Sequence, residues 1–412
     1  MNILMVLSTK KFPPDGRVER EARDLLREGH TLFLMARRGP SQRPRETVDG
    51  VHVLRTWLPF QKTKPLADLI YFFCQRYLIL FPILLACRRH RIDALHVHDL
   101  PYAFATTLAG RLLKLPVIFD MHEHYVAMLT SSFQAAAYRP FRPFAFILLG
   151  LLRAEERFAC RRAHTVIVVA KEHRPRIESL GTPAHRLLEI TNTEDTDAFT
   201  ALPPDPAVES AFPDDFRVLY VGGFGPHRGL QPVLRAIALV RDELPNIRLL
   251  LVGDGADRPE LEALTDELHL RDHVTFTGFE PFAKLPSYIR NAHVCLVPHV
   301  STPHVDTTMP NKIFQYMILA RPVLVTDVAP LRRIVEDARC GLVFHQHDPQ
   351  AIADAILQLR DPDLRQRLGD NGRAAVHDRY NWQSTVRPLL ALYRNLAATA
   401  AARSQNATTT KE

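Results

Sequence analysis

The sequence predicts an α/β fold made of two doubly wound, mostly parallel sheets. Three observations predict it. Short apolar runs of strand length alternate with helix-length amphipathic segments along most of the chain. The alternation stops at a proline-rich stretch between Phe199 and Asp215, where Pro203, Pro204, Pro206 and Pro213 fall, and restarts at Val218. A chain of 412 residues exceeds what a single hydrophobic core holds, so two domains are expected.

The elements follow in order. Residues 2–8 read as a first strand, 10–16 as a loop with two prolines, and 17–28 as an amphipathic helix ended by Gly29. Strands are expected at 31–36 and 51–54. Residues 66–88 read as a long apolar helix that kinks before Pro82. A strand at 94–98 ends in Asp99-Leu100-Pro101, a helix covers 102–113, and a strand at 117–120 runs into Met121-His122-Glu123-His124. A second long helix, 144–162, precedes a strand at 165–169. After the break, strands are expected at 218–221, 249–252, 274–277, 294–297, 323–326 and 342–344. This divides the chain into a first domain, 1–200, a linker, 201–215, a second domain, 216–380, and a final helix, 381–396. The small, polar stretch 397–412 reads as disordered.

Composition narrows the function classes. The net charge is +7, with 52 basic and 45 acidic side chains scattered along the chain. This fits an anionic substrate or an acidic membrane surface better than a nucleic-acid stripe. Cys74, Cys87, Cys160, Cys295 and Cys340 are odd in number and form no CxxC pair, which points to a reduced, cytoplasmic protein. The apolar stretch 3–7 is too short for a signal peptide. The longest charge-free apolar runs, 77–87 and 143–152, fall short of the ~20 residues a membrane span needs. Arg76, Arg88, Arg89, Arg142 and Arg153 flank them. They read as buried helices or as helices lying on an anionic bilayer.

Three stretches carry chemistry. The strand at 218–221 is followed by Gly222, Gly223 and Gly225, then Arg228 and Gly229, then apolar residues at helical spacing from Leu230. Strand, glycine-rich turn and helix aim backbone N–H groups at the mouth of a sheet, which suits a phosphate. An ordinary turn that needs glycine is the plain alternative. His96 and His98, two apart on one strand, share a face. With Asp120, His122, Glu123 and His124 they read as a metal cluster, as strand-end caps, or as a general base or substrate-orienting histidine. In the second half, Thr307-Thr308-Met309-Pro310-Asn311-Lys312 opens a helix on which Lys312 and Gln315 lie one turn apart. It reads as a second anion site or as a solvated helix face.

These motifs in this order resemble a known family. Arg17-Val18-Glu19, His98-Asp99, Asp120-x-His122-Glu123, Gly222-x5-Arg228-Gly229, Pro310-Asn311-Lys312-x-Phe314-x-Tyr316-Met317 and Arg321-Pro322-Val323 are similar to those of family 4 retaining glycosyltransferases. The resemblance spans roughly residues 1–395. It implies the GT-B fold, in which two Rossmann-like domains face a central cleft. It also implies a nucleotide-sugar donor on the second domain, an acceptor on the first, no metal or other cofactor, and no nucleic-acid partner. His122 matches a strand-end histidine beside the donor sugar. Arg228 matches a diphosphate-binding lysine. Together with Lys312, these two form the implied catalytic set. Gly222, Gly223, Gly253, Gly255, Glu280, Thr307, Thr308, Asn311 and Gln315 fall on the donor side, and Arg17, His98, Asp99 and Glu123 on the acceptor side.

The sequence departs from the family pattern at three positions. Gly223 stands where many members have a second phosphate-binding arginine. Thr307 and Gln315 stand where a pair of glutamates is usual. The resemblance thus implies transfer of a sugar, with retention, to a lipid-linked or polysaccharide acceptor in cell-envelope or exopolysaccharide synthesis, at the cytoplasmic face of the membrane. A sugar-nucleotide epimerase of the same fold, or a non-catalytic partner subunit, are the alternatives.

Overall fold

The computed structural model describes residues 1–8, 12–39, 41–56, 74–134 and 142–409. The chain forms two compact units. One is Met1–Thr191 with Val386–Glu412, and the other is Asn192–Thr385.

The first unit holds an eight-stranded sheet: β1 (Asn2–Val6), β2 (Thr31–Arg37), β3 (Arg45–Val48), β4 (Val51–Thr56), β5 (Ala94–His98), β6 (Val117–Met121), β7 (Thr165–Val168) and β8 (Leu187–Glu189). Their spatial order is β3-β4-β2-β1-β5-β6-β7-β8. Every neighbouring pair is parallel except β3 with β4. Strands β5 and β6 are buried along their whole length, as expected for parallel strands covered by helices on both faces. Strand β3 was not among the expected elements. Its signal is the Asp49-Gly50 turn, where both residues take positive φ, 48° and 84°, as a tight hairpin demands.

The second unit holds six strands: β9 (Phe216–Val221), β10 (Ile247–Val252), β11 (Val274–Gly278), β12 (Val294–Val297), β13 (Val323–Thr326) and β14 (Gly341–Phe344). All pairs are parallel, in the order β11-β10-β9-β12-β13-β14. The chain direction of travel reverses between β9 and β12, so the segments after these two strands diverge and leave a crevice at their carboxyl ends. In the first sheet the same reversal falls between β1 and β5. These two places position the functional side chains.

Four expectations need correction. The apolar helix expected at 66–88 is helical over 74–78, turns at Ile79, and resumes as the helix Leu80–His90. A proline inside the first turn is tolerated, whereas one deeper in a continuous helix would clash with the preceding turn. Residues 66–73 lie outside the described ones. The boundary between units falls at Thr191, not near 200, because the next residues bond to the second unit. Asn192 Nδ2 donates to the Met309 carbonyl (3.2 Å), Gln315 Nε2 to Glu194 Oε2 (2.9 Å), and the Trp382 N–H to the Glu194 carbonyl (3.0 Å). The expected linker 201–215 contains a short helix, Pro206–Glu209, that packs on the helix Leu285–Asn291. There Asp205 N–H donates to Ser287 Oγ (2.8 Å) and Asn291 Nδ2 to the Val208 carbonyl (2.8 Å). Finally, residues 397–409 of the stretch read as disordered continue the helix Arg387–Thr409, while 410–412 lie outside the described residues. Its alanines are the strongest helix formers, a feature the compositional reading overlooked. This helix belongs to the first unit, where Tyr393 is fully buried against the sheet.

The Gln315–Glu194 contact yields a prediction. Both side chains are buried, and Gln315 supplies a donor to the carboxylate. Gln315→Glu would place two carboxylates together away from water. It should lower stability at neutral pH by about 1–3 kcal/mol. The loss should shrink in acid, where the pair shares a proton. Denaturant titrations at pH 5 and pH 7.5 read it; equal stability of variant and parent at pH 7.5 would refute the pairing.

Candidate functional site

In the second unit the turn after β9 and the segment after β12 build one pocket. Gly222 and Gly253 take φ of 140° and 143°, a region closed to other residues. A side chain at Gly222 would begin 2.6 Å from Lys312 Nζ, and one at Gly253 would begin 2.0 Å from the Gly222 carbonyl oxygen. The glycines therefore let the lysine and two backbone segments converge. Lys312 opens the helix Lys312–Ile318, all of which is buried. Its ammonium lies 4.1 Å from the centre of the Tyr220 ring and has no hydrogen-bond partner among the described residues. Burial first, and the Arg228 charge second, push its pKa well down. Arg228 Nη1 lies 3.0 Å from His299 Nε2. The His227 and His304 rings meet edge to face at 5.9 Å. Burial lowers His227 to about 4, with Arg228, His304 and Lys312 adding to the effect. The result is a cation-rich cluster packed against glycine backbone, with the Gly222 and Gly253 N–H groups already donating to the Val252 and Gly278 carbonyls (both 2.9 Å).

In the first unit a buried network forms around Asp120 on β6. Arg17, from the helix Gly16–Arg27, donates through Nε and Nη2 to the two Asp120 oxygens (both 3.0 Å) and through Nη1 to the Ile190 carbonyl (2.9 Å). Its Nε is also 3.1 Å from Glu21 Oε1. His122 Nε2 lies 3.0 Å from Asp120 Oδ2 and 3.1 Å from His98 Nδ1. The His122 N–H donates to Asp99 Oδ1 (3.0 Å). Asp99 holds φ at 61°, a strained conformation for a residue with a side chain, at the point where β5 ends. Burial alone would lower the His122 pKa. Asp99, then Asp120, outweigh it and raise it to about 9. Burial, partly offset by His122, lifts Asp99 to about 6. His122 is thus an imidazolium at neutral pH, with 17% of its side chain accessible.

Ligand atoms of Glu21, His96, His98 and Asp120 lie within 4.8 Å of one another, so these four could converge on a cation. Arg17 already stands against both carboxylates, and a divalent ion would have to displace or repel that guanidinium. His124, also considered for a metal, packs instead on His173 at 5.7 Å.

Other expected residues sort as follows. Arg17 and His98, expected on the acceptor side, are interior, because Asp120 holds both beneath His122. Asp99 and Glu123 keep partly exposed positions. The expected solvated face of the Lys312 helix does not exist, since Gln315 is as buried as its neighbours and bonds Glu194. Thr307 and Thr308 turn their hydroxyls back onto carbonyls of the same loop, Thr307 to Pro303 (2.9 Å) and Thr308 to Val305 (3.5 Å), so neither offers a free donor. Glu280 accepts from Tyr288 Oη (3.0 Å) and sits 3.5 Å from Lys284 Nζ. Asn311 is exposed at the helix start and does not cap it. Gly255 lets the backbone approach Phe224, whereas Gly223 has no close neighbour and leaves its side uncharged. Sequence reasoning missed His299, Tyr220 and Glu194. His299 had a findable signal, a histidine directly after a buried strand bordering the crevice.

With this geometry described, comparison with known proteins becomes specific. Residues 215–361 match the family described as glycosyl transferases group 1, and residues 16–193 match the glycosyl transferase 4-like domain. Alpha-D-kanosaminyltransferase of Streptomyces kanamyceticus is 26% identical over 300 residues, covering 71% of this chain and 74% of that protein. Phosphatidyl-myo-inositol mannosyltransferase of Mycobacterium leprae is 25% identical over 308 residues, covering 74% of each chain. Among solved structures, sucrose-phosphate synthase from Thermosynechococcus elongatus superposes with a TM-score of 0.77 at 21% identity, covering 97% of this chain and 100% of that one. Anabaena HepE in complex with UDP superposes at 0.69 and 16% identity, covering 96% and 100%. Two family matches that together span most of the chain, on two parallel-sheet units with these structural neighbours, show that the protein belongs to the group 1 glycosyltransferases of the GT-B fold.

Proposed function

We propose that this glycosyltransferase takes a sugar from a nucleotide-sugar donor, without a metal ion, and passes it to a lipid-linked or polysaccharide acceptor in cell-envelope or exopolysaccharide synthesis. One observation carries the donor reading. Arg228 and Lys312 converge on glycine backbone at a strand crevice, and neither is paired with a carboxylate among the described residues. Charging a buried lysine beside a half-buried arginine with no counter-ion is costly unless an anion visits. A sugar diphosphate supplies that anion. As its glycosidic bond breaks, negative charge grows on the leaving diphosphate, where fixed cations stabilise it more than they stabilise the intact donor. HepE, a neighbour in fold, is known with UDP, and the mycobacterial relative is named for a lipid acceptor; both support the reading. Retention of configuration rests on the sequence resemblance, and the anomeric coupling of the product measured by NMR tests it.

His122 orients the donor sugar through its hydroxyls. Its Nε2 edge is held by Asp120 and His98, which fixes the ring and makes it a charged donor, not a nucleophile. The metal-free part of the reading is supported by Arg17, which neutralises the two buried carboxylates best placed for an ion.

No helix among the described residues is long and apolar enough to cross a membrane. The two apolar helices of the first unit nonetheless each carry bare apolar side chains. Phe81 and Leu85 on the helix Leu80–His90 are 69% and 66% exposed, and Phe146 and Ile147 on the helix Arg142–Arg162 are 79% and 70% exposed. Arg88, Arg89 and Arg153 are exposed on the same helices. Arg76, expected among the flanking charges, is instead buried against Glu155. Bare apolar side chains beside arginines fit an anionic lipid surface, where a lipid-linked acceptor resides.

Four measurements follow. Arg228→Ala should weaken both donor and free nucleoside diphosphate by about 1.5–3 kcal/mol, the worth of a hydrogen bond to a charged group; unchanged affinity in calorimetry takes Arg228 out of the site. His122→Ala should cut turnover on the order of 10–100-fold while nucleotide affinity stays within about twofold, because what is lost is the positioning of the sugar. Wild-type turnover should fall as pH rises through about 9, where His122 loses its charge, and His122→Gln should lack that limb; an identical alkaline limb in the variant assigns the titration elsewhere. Flotation with vesicles should show binding to phosphatidylglycerol membranes, little binding to phosphatidylcholine, and loss of binding in the Phe146→Asp/Ile147→Asp double variant. Equal behaviour on both lipids would remove the membrane role.

A further inference from the structure

The cation-rich pocket of the second unit has a charge balance with consequences beyond affinity. Lys312 Nζ is enclosed, faces the Tyr220 ring, and makes no hydrogen bond to any described residue. Among the described residues its charged or titratable neighbours are Arg228, His227 and His299, with His304 beside both histidines. His299 lies with Nε2 against the Arg228 guanidinium, an arrangement open only to its neutral form, which accepts there. The groups on surrounding elements do not compensate. Tyr316, on the same helix, accepts at its hydroxyl oxygen from the Val221 N–H of β9 (3.1 Å) and stays neutral, as does buried Cys295 on β12. Tyr380 meets the helix through Phe314. Glu194 is engaged by Gln315, and Asp306 accepts from Ser301 Oγ (2.8 Å).

We propose that binding of the donor pyrophosphate is coupled to proton uptake, with Lys312 as the principal acceptor. This rests on the nucleotide-sugar reading above and deepens it. In the pocket without a ligand, the Lys312 amine lacks both water and a counter-ion, so the ammonium form is disfavoured there. The two phosphate charges of the donor reverse that balance. A proton from solvent then joins the Nζ lone pair, and the ammonium pairs with a phosphate oxygen. His227 and His299, both depressed by burial and by the same cations, gain in the same direction. By linkage, a ligand that favours the protonated form binds less tightly as pH rises. The site therefore grips the diphosphate more tightly at lower pH and releases it more readily at higher pH.

Isothermal titration calorimetry tests this on the full chain. The probe is UDP-glucose, with GDP-mannose used if UDP-glucose does not bind. In both, each phosphate carries one ester and one anhydride bond and a single strongly acidic hydroxyl, so the ligand itself does not titrate near neutrality. Titrations at pH 8 in buffers of different ionisation enthalpy should show uptake of about 0.5–1 proton per ligand, and the dissociation constant should rise about three- to tenfold per pH unit between pH 7.5 and 8.5. Lys312→Arg, which keeps the charge and removes the titration, should still bind and should lose at least half of the uptake. Should that variant fail to fold, the wild-type pH dependence of affinity decides alone. Binding with no proton uptake, or uptake unchanged in folded Lys312→Arg, overturns the inference while leaving the donor reading intact. Failure of both nucleotide sugars to bind defeats the donor reading and this inference with it.

Discussion

The second unit depends on a lysine, Lys312, buried where no carboxylate among the described residues meets it. Placing such a charge in the interior is unfavourable, and the structure around Lys312 is arranged to make that tolerable. Tyr220 turns its ring face toward the ammonium, Gly222 gives up its side chain to make room, and the helix carrying Lys312 is packed on every side. Arg228 is steadied by a neutral histidine instead of an acid. An acidic partner in the same place would have stabilised the pocket and removed its attraction for a polyanion.

The first unit solves the opposite problem. There, carboxylates and cations are present together, and the site is organised by pairing. Asp120 is the hub. It takes two hydrogen bonds from Arg17 and lies within bonding distance of His122. These contacts hold its carboxyl well below its usual range against a strong burial effect. Glu21, one turn along the Arg17 helix, receives less compensation, and burial and Asp120 push it up to about 8. Two carboxylates near one guanidinium cannot both be fully charged at neutral pH, and the difference in their environments settles which one is. That leaves Asp120 ionised to hold His122, the group with an accessible edge. The fully buried Tyr393, with its hydroxyl 3.1 Å from His96 Nδ1, brings the last helix of the chain into the same network.

Much of this was legible in the residues. The β9 turn was readable because glycine at those positions has a steric cause, and strand, turn and helix follow in a fixed order. His96 and His98 were correctly placed on one face because strands repeat every two residues; their rings stack at 4.4 Å. The roles assigned to Arg17, His98 and Gln315 were less accurate. Each is a polar residue in a motif, which at sequence level looks the same whether it faces a ligand or another side chain. Asp120, Asp120 again and Glu194 respectively claim them in the structure. The alanine-rich last helix escapes a compositional reading for a different reason, since its anchor, Tyr393, packs against a strand nearly three hundred residues earlier.

The sequence by itself determined the local and periodic features of this protein: the alternation of strands and helices, the glycine-rich turn, the apolar faces and the motif order that identifies the family. These depend on backbone sterics and on repeats of two and 3.6 residues, which neighbours along the chain decide between themselves. The tertiary structure decided which charges meet. Whether Lys312 has a counter-ion, whether Arg17 is a surface or an interior residue, and what Gln315 bonds depend on groups brought together from distant segments. Electrostatic energies in a low-dielectric interior change steeply with separations of a few ångströms, and no sequence spacing specifies those separations.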